Sequence, residues 1–355
     1  MSEPSPSARL NLITLERNIP VSVTVELARR CPLACAHCYL PETRGRAKPG
    51  RELTAAQWKK VLSQLAAAGG LYLVFTGGEP LLRPDLEELC SFAKKLNFDV
   101  RIFSTGLGLD RRRALALKKA GVSAFEISFY GRPAVHDGMT GLDGSYGRSL
   151  AAARLLKRAG VKVKMKMPLT RANISQTAFL RALAKREGFG IAFDPVITAA
   201  NDGDKSALPL RLGPAGLARA VRLLGSPPEP CGPSLIEASP PIEAKPRYDF
   251  LCGAGRNVCA LGPDGTLYPC LQLPVKLGNP ALRPFSGIWK SSGWLKKWRK
   301  AGAADVKECA DCGDVPYCSR CPGVSLVEEG DVFAPNAPAC ALARAMHRVS
   351  QFKKA

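Results

Sequence analysis

The segment VSVTVELARRCPLACAHCYL, residues 21–40, joins an alternating apolar run to a group of closely spaced cysteines. Its first seven residues alternate apolar and polar side chains, which predicts a β-strand over 21–27. The loop that follows carries three cysteines in the spacing C-x3-C-x2-C: Cys31, Cys35 and Cys38. The segment therefore predicts a strand with a group of thiols at its C-terminal end.

The alternation of a short apolar strand with an amphipathic helix continues for six units along the chain. The predicted strands cover 21–27, 71–75, 99–104, 123–129, 161–167 and 190–197, and the predicted helices cover 53–68, 84–96, 110–120, 146–159, 174–186 and 213–224. Consecutive strand–helix units form parallel sheets with right-handed crossovers. We therefore expect an α/β fold, a partial (β/α)6 barrel, with functional loops after the C-terminal ends of its strands.

The composition divides the chain into five parts. A short N-terminal extension, 1–20, precedes the six units, which span 21–224. Residues 225–248 are rich in proline, which predicts a linker. A second, cysteine-rich module is expected over 249–345, followed by a basic tail over 346–355.

The thirteen cysteines point to metal chemistry rather than to disulfides. The N-terminus carries no export signal and no apolar run is long enough to cross a bilayer, so we expect a cytoplasmic protein with reduced thiols. The net charge is +21, from 51 basic and 30 acidic residues. This charge fits either solvated basic faces or an acidic partner, and without a recognised binding module it does not favour nucleic acid.

The first three cysteines suit a 4Fe–4S cluster that keeps one iron open. Each iron of such a cluster takes one thiolate, so three thiolates leave the fourth iron for a substrate or cofactor. A structural zinc site would need a fourth protein ligand. His37 is the nearest candidate, but its position between Cys35 and Cys38 would strain the chelate.

In two motifs after successive strands, the chain resembles the radical S-adenosylmethionine (SAM) enzymes. The first motif is Cys31-x3-Cys35-x2-Cys38-Tyr39, and the second is TGGEPLLRPD at 76–85, which is similar to the family's glycine-rich loop. The resemblance implies that SAM chelates the open iron. It also implies that reductive cleavage of SAM gives a 5′-deoxyadenosyl radical, which abstracts hydrogen from a substrate.

The resemblance also implies which residues surround SAM. It implies a close backbone approach at Gly77 and Gly78 and an acceptor for the SAM ammonium at Glu79. Further contacts that it implies are with Tyr39, Thr105 and Ser128. Lys164 belongs to a lysine face of the strand at 161–167, which looks either inward to anionic groups of SAM or substrate, or outward to solvent.

A second group of eight cysteines resembles the SPASM extension of radical SAM enzymes. The resemblance implies one auxiliary cluster on Cys252, Cys259, Cys270 and Cys321, and another on Cys309, Cys312, Cys318 and Cys340. Three 4Fe–4S clusters are then expected in all, since eight thiolates are enough for two. Zinc ribbons are the alternative for the CxxC pairs.

SPASM enzymes commonly modify peptides, so the resemblance implies maturation of a ribosomally made peptide or protein. Only 30 residues precede Cys31, too few for a leader-binding module, so we expect a separate carrier protein or direct binding to the basic surface. Leu271 follows Cys270 where sulfatase-maturating relatives have an aspartate, which disfavours that reaction. The expected electron donor is a flavodoxin or ferredoxin.

Two other functions remain open at this point. A step in the biosynthesis of a tetrapyrrole or quinone cofactor would also suit a basic cavity. A zinc-ribbon protein that binds nucleic acid is the alternative without catalysis. It explains the charge and the CxxC pairs, but it gives no reason for Gly-Gly-Glu-Pro after a strand.

Overall fold

The structure of the chain, a computed structural model, describes residues 5–40, 50–224 and 252–352. The predicted linker, 225–248, lies outside the described residues. The strands are β1 Ser22–Ala28, β2 Tyr72–Gly77, β3 Asp99–Ser104, β4 Val122–Ser128, β5 Lys162–Pro168, β6 Gly190–Asp194, β7 Val258–Leu261 and β8 Leu267–Tyr268. The helices are α1 Pro6–Arg17, α2 Ala55–Ala67, α3 Leu86–Lys95, α4 Arg111–Lys119, α5 Pro133–Thr140, α6 Ser145–Arg158, α7 Thr177–Glu187, α8 Pro214–Leu224, α9 Phe285–Ser291, α10 Gly293–Trp298, α11 Pro322–Glu329 and α12 Ala337–Phe352.

The described strands form one open sheet in the order β6-β5-β4-β3-β2-β1-β7-β8. Strands β1 to β6 pair in parallel, and helices connect them, so the predicted α/β partial barrel is confirmed. Strand β7 pairs in parallel with β1, and β8 pairs antiparallel with β7. The cysteine-rich module therefore continues the sheet of the barrel.

The two faces of the sheet differ in polarity because successive side chains of a strand point to opposite sides. In β1, Val23, Val25 and Leu27 are fully buried in the main apolar core, as the alternation predicts. The other face of the sheet carries charged side chains, including Glu26 of β1 and Glu126 of β4. The loop after β1 contacts this polar face, because the Tyr39 hydroxyl donates to the Glu26 carboxylate.

Local signals set the element boundaries. Helix α2 begins with a capping box, as the predicted N-cap Thr54 indicates: the Thr54 hydroxyl accepts from the backbone N–H of Gln57, and the Gln57 side chain accepts from that of Thr54. Gly69, in the left-handed region at φ 99°, follows the helix. Tight turns of this kind return the chain to the next strand.

The ends of the chain are more structured than the sequence indicated. Helix α1 lies inside the expected extension, and Asn257 of the second module donates to the Asn11 side chain at 2.9 Å. Within the range of the expected basic tail, helix α12 extends to Phe352, and Met346 and Val349 of this helix are buried in the main core. None of the described helices combines the length and apolar character that crossing a bilayer requires.

Candidate active site

The three cysteines of the first group lie in the loop after β1. Cys31, Cys35 and Cys38 are half-buried and free of disulfides. Burial raises the pKa of the Cys31 and Cys35 thiols to about 12. The Cys31 thiol also interacts electrostatically with Cys35 and Cys38, so the three sulfurs share one region. The structure therefore brings together the thiols that the sequence grouped.

A helix that the sequence did not predict supports this loop. The Ala34 N–H donates to the carbonyl of Thr140 at 2.9 Å, and the Ala36 N–H donates to that of Met139 at 3.2 Å. Both acceptors lie at the C-terminal end of α5, where helical carbonyls have no partner within the helix. The cysteine loop thus provides hydrogen-bond donors for the last carbonyl groups of α5, and the same bonds fix the position of the loop.

The glycine-rich loop packs directly on the cysteine loop. Gly78 N–H donates to the Ala28 carbonyl at 2.7 Å, and Glu79 N–H donates to the Arg30 carbonyl at 2.8 Å. A Cβ at Gly77, which has φ 127°, would lie 2.5 Å from the Ala28 oxygen, and a Cβ at Gly78 would collide with the Arg30 carbonyl. The approach of two backbone segments thus requires both glycines, and their approach to SAM stays a prediction.

Glu79 is fully buried at the end of β2. Its carboxylate accepts from the Leu81 N–H at 2.9 Å, from the Ser104 hydroxyl at 2.7 Å, and from both the N–H, at 2.7 Å, and the hydroxyl of Thr105. Burial raises its pKa, and these four donors oppose the rise. A carboxylate has about four acceptor positions. Glu79 therefore joins the loops after β2 and β3 as a clamp. Its contact with the SAM ammonium and the ribose contact of Thr105 stay predictions.

Tyr130 is a site residue that the sequence reasoning missed. Its hydroxyl shares hydrogen bonds with the side chains of Cys35 and Ser128, and burial raises its pKa well above the usual range. Its ring meets His37 edge-on, with centroids 5.0 Å apart. Ser128, predicted to contact SAM, is thus bonded to Tyr130. The signal that could have found Tyr130 is its place two residues after Ser128, near the end of β4.

Tyr39 and Lys164 both lie on the polar face of the sheet. The Tyr39 hydroxyl donates to the Glu26 carboxylate at 2.7 Å, and the Lys164 ammonium lies 3.6 Å from the Glu126 carboxylate. Strand β5 lies between β4 and β6, so it is not an edge strand. Lys164 is thus paired with Glu126 on the polar face of the sheet, and its contact with anionic groups of SAM or substrate stays a prediction.

The loop after β6 connects the cysteine loop to the second module. The Asn201 N–H donates to the Tyr39 carbonyl at 2.9 Å, and the Asn201 side chain donates to the Leu271 carbonyl at 3.4 Å. Farther along the same loop, Arg211 pairs with the buried Glu328 of α11. The two bonds of Asn201 place Leu271, the residue after Cys270, close to Tyr39 at the end of the cysteine loop.

A cavity of about 230 Å³ opens between the barrel and the second module. The barrel contributes Glu26 and Leu40, and the second module contributes Tyr268, Leu271 and Lys276. Pockets for whole small molecules usually measure about 300–1,000 Å³. This cavity therefore suits one or two side chains of a larger substrate.

The cysteines of the second module fall into two groups. Electrostatic interactions connect Cys252, Cys270 and Cys321 in one group, and Cys309, Cys312, Cys318 and Cys340 in the other. Apart from Cys259, these are the two sets that the resemblance implied.

Cys259 points away from the first of these groups. Val258, its neighbour on β7, packs beside Cys252 and Cys270, whereas Cys259 is fully buried in the main apolar core with Leu261. Its pKa is raised by burial alone, with no contribution from another thiol. Adjacent residues of a strand face opposite sides, so the Cys259 thiol lies on the apolar face of β7, and its place in the first auxiliary cluster stays a prediction.

In the part of the chain that the structure describes, no three His, Cys, Asp or Glu side chains are arranged around a single metal ion. The ligands of one zinc ion converge within about 2.0–2.3 Å of it. The thiolates of a 4Fe–4S cluster bind different irons and stand farther apart.

Comparisons with known proteins cover both cysteine regions. The family model of the Radical SAM superfamily matches residues 25–177, and that of SPASM, an iron–sulfur cluster-binding domain, matches 252–313. The PqqA peptide cyclase of Gluconobacter oxydans (strain 621H) is 30% identical over 345 residues, which cover 94% of this chain and 93% of that protein. The PqqA peptide cyclase of Rhodopseudomonas palustris (strain ATCC BAA-98 / CGA009) is 29% identical over 359 residues, covering 93% and 89%.

The fold is also similar to that of a solved structure. Streptococcus suis SuiB bound to precursor peptide SuiA superposes with a TM-score of 0.71 at 17% identity, covering 94% of this chain and 80% of that one. At this identity the likeness shows the architecture alone. The superposed region includes both the barrel and the cysteine-rich module.

Proposed function

Since this chain belongs to the radical SAM family and carries a SPASM module, we propose that it matures a ribosomally synthesised peptide or protein. It is an enzyme, and its cofactors are SAM and iron–sulfur clusters. The observation that carries the proposal is the cavity between the modules. Leu40, two residues after Cys38, and Leu271, directly after Cys270, both line it. A substrate side chain held there would lie between two of the cluster sites.

The thiol groups would hold three clusters. Cys31, Cys35 and Cys38 would bind the 4Fe–4S cluster to which SAM binds, and their free, half-buried sulfurs suit that role. The auxiliary clusters would use Cys252, Cys270 and Cys321, and Cys309, Cys312, Cys318 and Cys340. When bound, the cluster and SAM supply a 5′-deoxyadenosyl radical, which takes a hydrogen atom from the substrate.

The protein's own side chains hold the cysteine loop in place. The Tyr130 hydroxyl donates to the Cys35 sulfur, a bond that lowers the pKa of this thiol and so favours the thiolate. Glu79 joins the loops after β2 and β3 beneath Cys31. Tyr39 is held by Glu26 at the border of the cavity, and we propose that Tyr39, with Ser128 and Lys164 of the same face, contacts SAM.

The proposal includes two protein partners. A leader peptide would bind a separate carrier protein or the basic surface of this chain, whose net charge is +21. A flavodoxin or ferredoxin would supply the electron that SAM cleavage requires.

The test is anaerobic turnover with peptides encoded close to the gene. The reconstituted protein is incubated with SAM, dithionite and each peptide, and mass spectrometry follows 5′-deoxyadenosine and the peptide mass. We expect 5′-deoxyadenosine together with a peptide that has lost hydrogen. Cys35→Ala is the control, which should keep the fold and form no 5′-deoxyadenosine. A variant that still forms it would contradict the cluster assignment, and turnover of a small molecule instead of every peptide would contradict peptide maturation.

A further inference from the structure

A basic and apolar patch is exposed beside the cysteine loop. We define the docking patch as Leu82, Pro84, Arg111, Arg112 and Leu115. Leu82 is 40% exposed and Leu115 is 50% exposed, and the other three residues are also exposed. Among the described residues, no acidic partner pairs with Arg111 or Arg112. Arginine is enriched in protein interfaces, and exposed apolar side chains gain stability when a partner covers them.

Arg113 holds the patch together. Its guanidinium donates to the carbonyl of Leu81 and, at 2.7 Å, to the carbonyl of Arg83, on the two sides of Leu82. It also pairs with the carboxylate of Glu87 at 2.6 Å. The start of α4 is thus bound to the segment after β2, and Arg112 lies beside Pro84 at this junction. A shallow depression between α3 and α4 adjoins this surface.

The docking patch lies one short turn from the candidate cluster site. Glu79 caps the 3₁₀ helix Pro80–Leu82, and its N–H bonds the carbonyl of Arg30, the residue before Cys31. A 3₁₀ helix rises about 2 Å per residue, so Leu82 lies roughly 6 Å along the chain from Glu79. The patch residues do not line the cavity between the modules. A protein could therefore occupy the patch while a substrate occupies the cavity.

The charge of the docking patch selects its partner. The two exposed guanidinium groups lie at the N-terminus of α4, where the helix dipole adds positive potential. Complementary charge steers association and fixes the register of the partners. An acidic protein with an apolar contact surface matches this combination.

We propose that the docking patch binds a small acidic protein that donates single electrons to the site of Cys31, Cys35 and Cys38. One electron leaves the donor, which is oxidised by one electron, and enters the cluster, which is reduced by one, with no bond or proton transferred. This inference rests on the proposed function, because reductive cleavage of SAM requires that electron.

The test uses a double charge reversal, Arg111→Glu with Arg112→Glu. The fold should tolerate it, because both side chains are exposed and acidic residues are favourable in the first turn of a helix. The matched control is Lys95→Glu with Lys119→Glu, which makes the same change in net charge at exposed positions near the C-terminal ends of α3 and α4.

The probe is a purified flavodoxin. Fluorescence anisotropy measures its Kd for the cluster-free and cluster-loaded protein at several salt concentrations. We expect the patch variant to raise Kd about tenfold and to flatten the salt dependence, and the control to change Kd less than twofold. With dithionite as reductant, both variants should form 5′-deoxyadenosine at the wild-type rate, whereas with reduced flavodoxin only the patch variant should be slow.

Three results would overturn the inference. The first is equal weakening in the patch variant and the control, which would assign binding to net charge alone. The second is unchanged flavodoxin affinity in both. The third is selective binding of a DNA or RNA duplex by the patch, which would assign it to nucleic acid. If wild-type protein and dithionite give no 5′-deoxyadenosine, the proposed function fails, yet the binding measurement on the cluster-free protein still tests the patch.

Discussion

Glu79→Gln tests whether the glutamate of the glycine-rich loop is a structural clamp. The carboxylate receives four donors from three residues, Leu81, Ser104 and Thr105, and no part of the side chain reaches solvent. Glutamine keeps the shape and one acceptor oxygen, which can still serve the first two donors. Its amide nitrogen would face the Thr105 N–H, so two donors would meet.

The cost follows from these contacts. A buried N–H without an acceptor costs about 1–3 kcal/mol. The remaining bonds also lose their charge assistance, which adds about 1 kcal/mol because bonds to ionised groups are roughly twice as strong as neutral ones. We therefore expect Glu79→Gln to lower the free energy of unfolding by about 2–4 kcal/mol, which for a chain of 355 residues corresponds to a fall in Tm of roughly 3–5 °C.

The assay is thermal and urea unfolding of the cluster-free protein under reducing conditions. Glu88→Gln is the matched control, because the Glu88 side chain is 54% exposed and its pair with Lys59 lies at the surface. The control should change stability by about 0.5 kcal/mol or less. Thr105→Val, combined with Glu79→Gln, should show an interaction energy of at least about 0.5 kcal/mol. A Glu79→Gln protein as stable as the control, but with a much weaker affinity for SAM, would refute the clamp and support Glu79 as the acceptor for the SAM ammonium.

Three further predictions concern the cysteine sites. Cys312→Ala should remove about four of the roughly 12 irons expected for three clusters, whereas Cys259→Ala should retain all of them. Iron and sulfide analysis measures both variants, and equal losses of iron would show that Cys259 is a cluster ligand. Gly78→Ala should destabilise the cluster-free protein by about 1–3 kcal/mol in urea unfolding, because the added Cβ would collide with the backbone of the cysteine loop. A variant as stable as the wild-type protein would contradict that packing. Tyr130→Phe should keep the ring packing but make the reduction potential of the first cluster more negative, because the Cys35 sulfur loses a hydrogen-bond donor. A redox titration measures this potential, and an unchanged value would show that the Tyr130 hydroxyl does not bond to the Cys35 sulfur.

The sequence alone determined the order of strands and helices along the barrel and the two groups of thiols. Each of the six predicted strands and six predicted helices is present, because the period of the apolar side chains decides between strand and helix. The spacing of Cys31, Cys35 and Cys38 brings three thiols into one loop whatever surrounds them. These are local properties, so they can be read from neighbouring residues.

Only the tertiary structure decided what the individual side chains touch. The acceptor role of Glu79 depends on Thr105, which is 26 residues away, and Tyr130 meets Cys35 across two different strand ends. The separation of Cys259 from Cys252 and Cys270 depends on how β7 pairs with β1, since a shift of one residue in this pairing would turn the Cys259 thiol to the other face of the sheet. Such contacts join distant parts of the chain, and their geometry is set by packing rather than by spacing in the sequence.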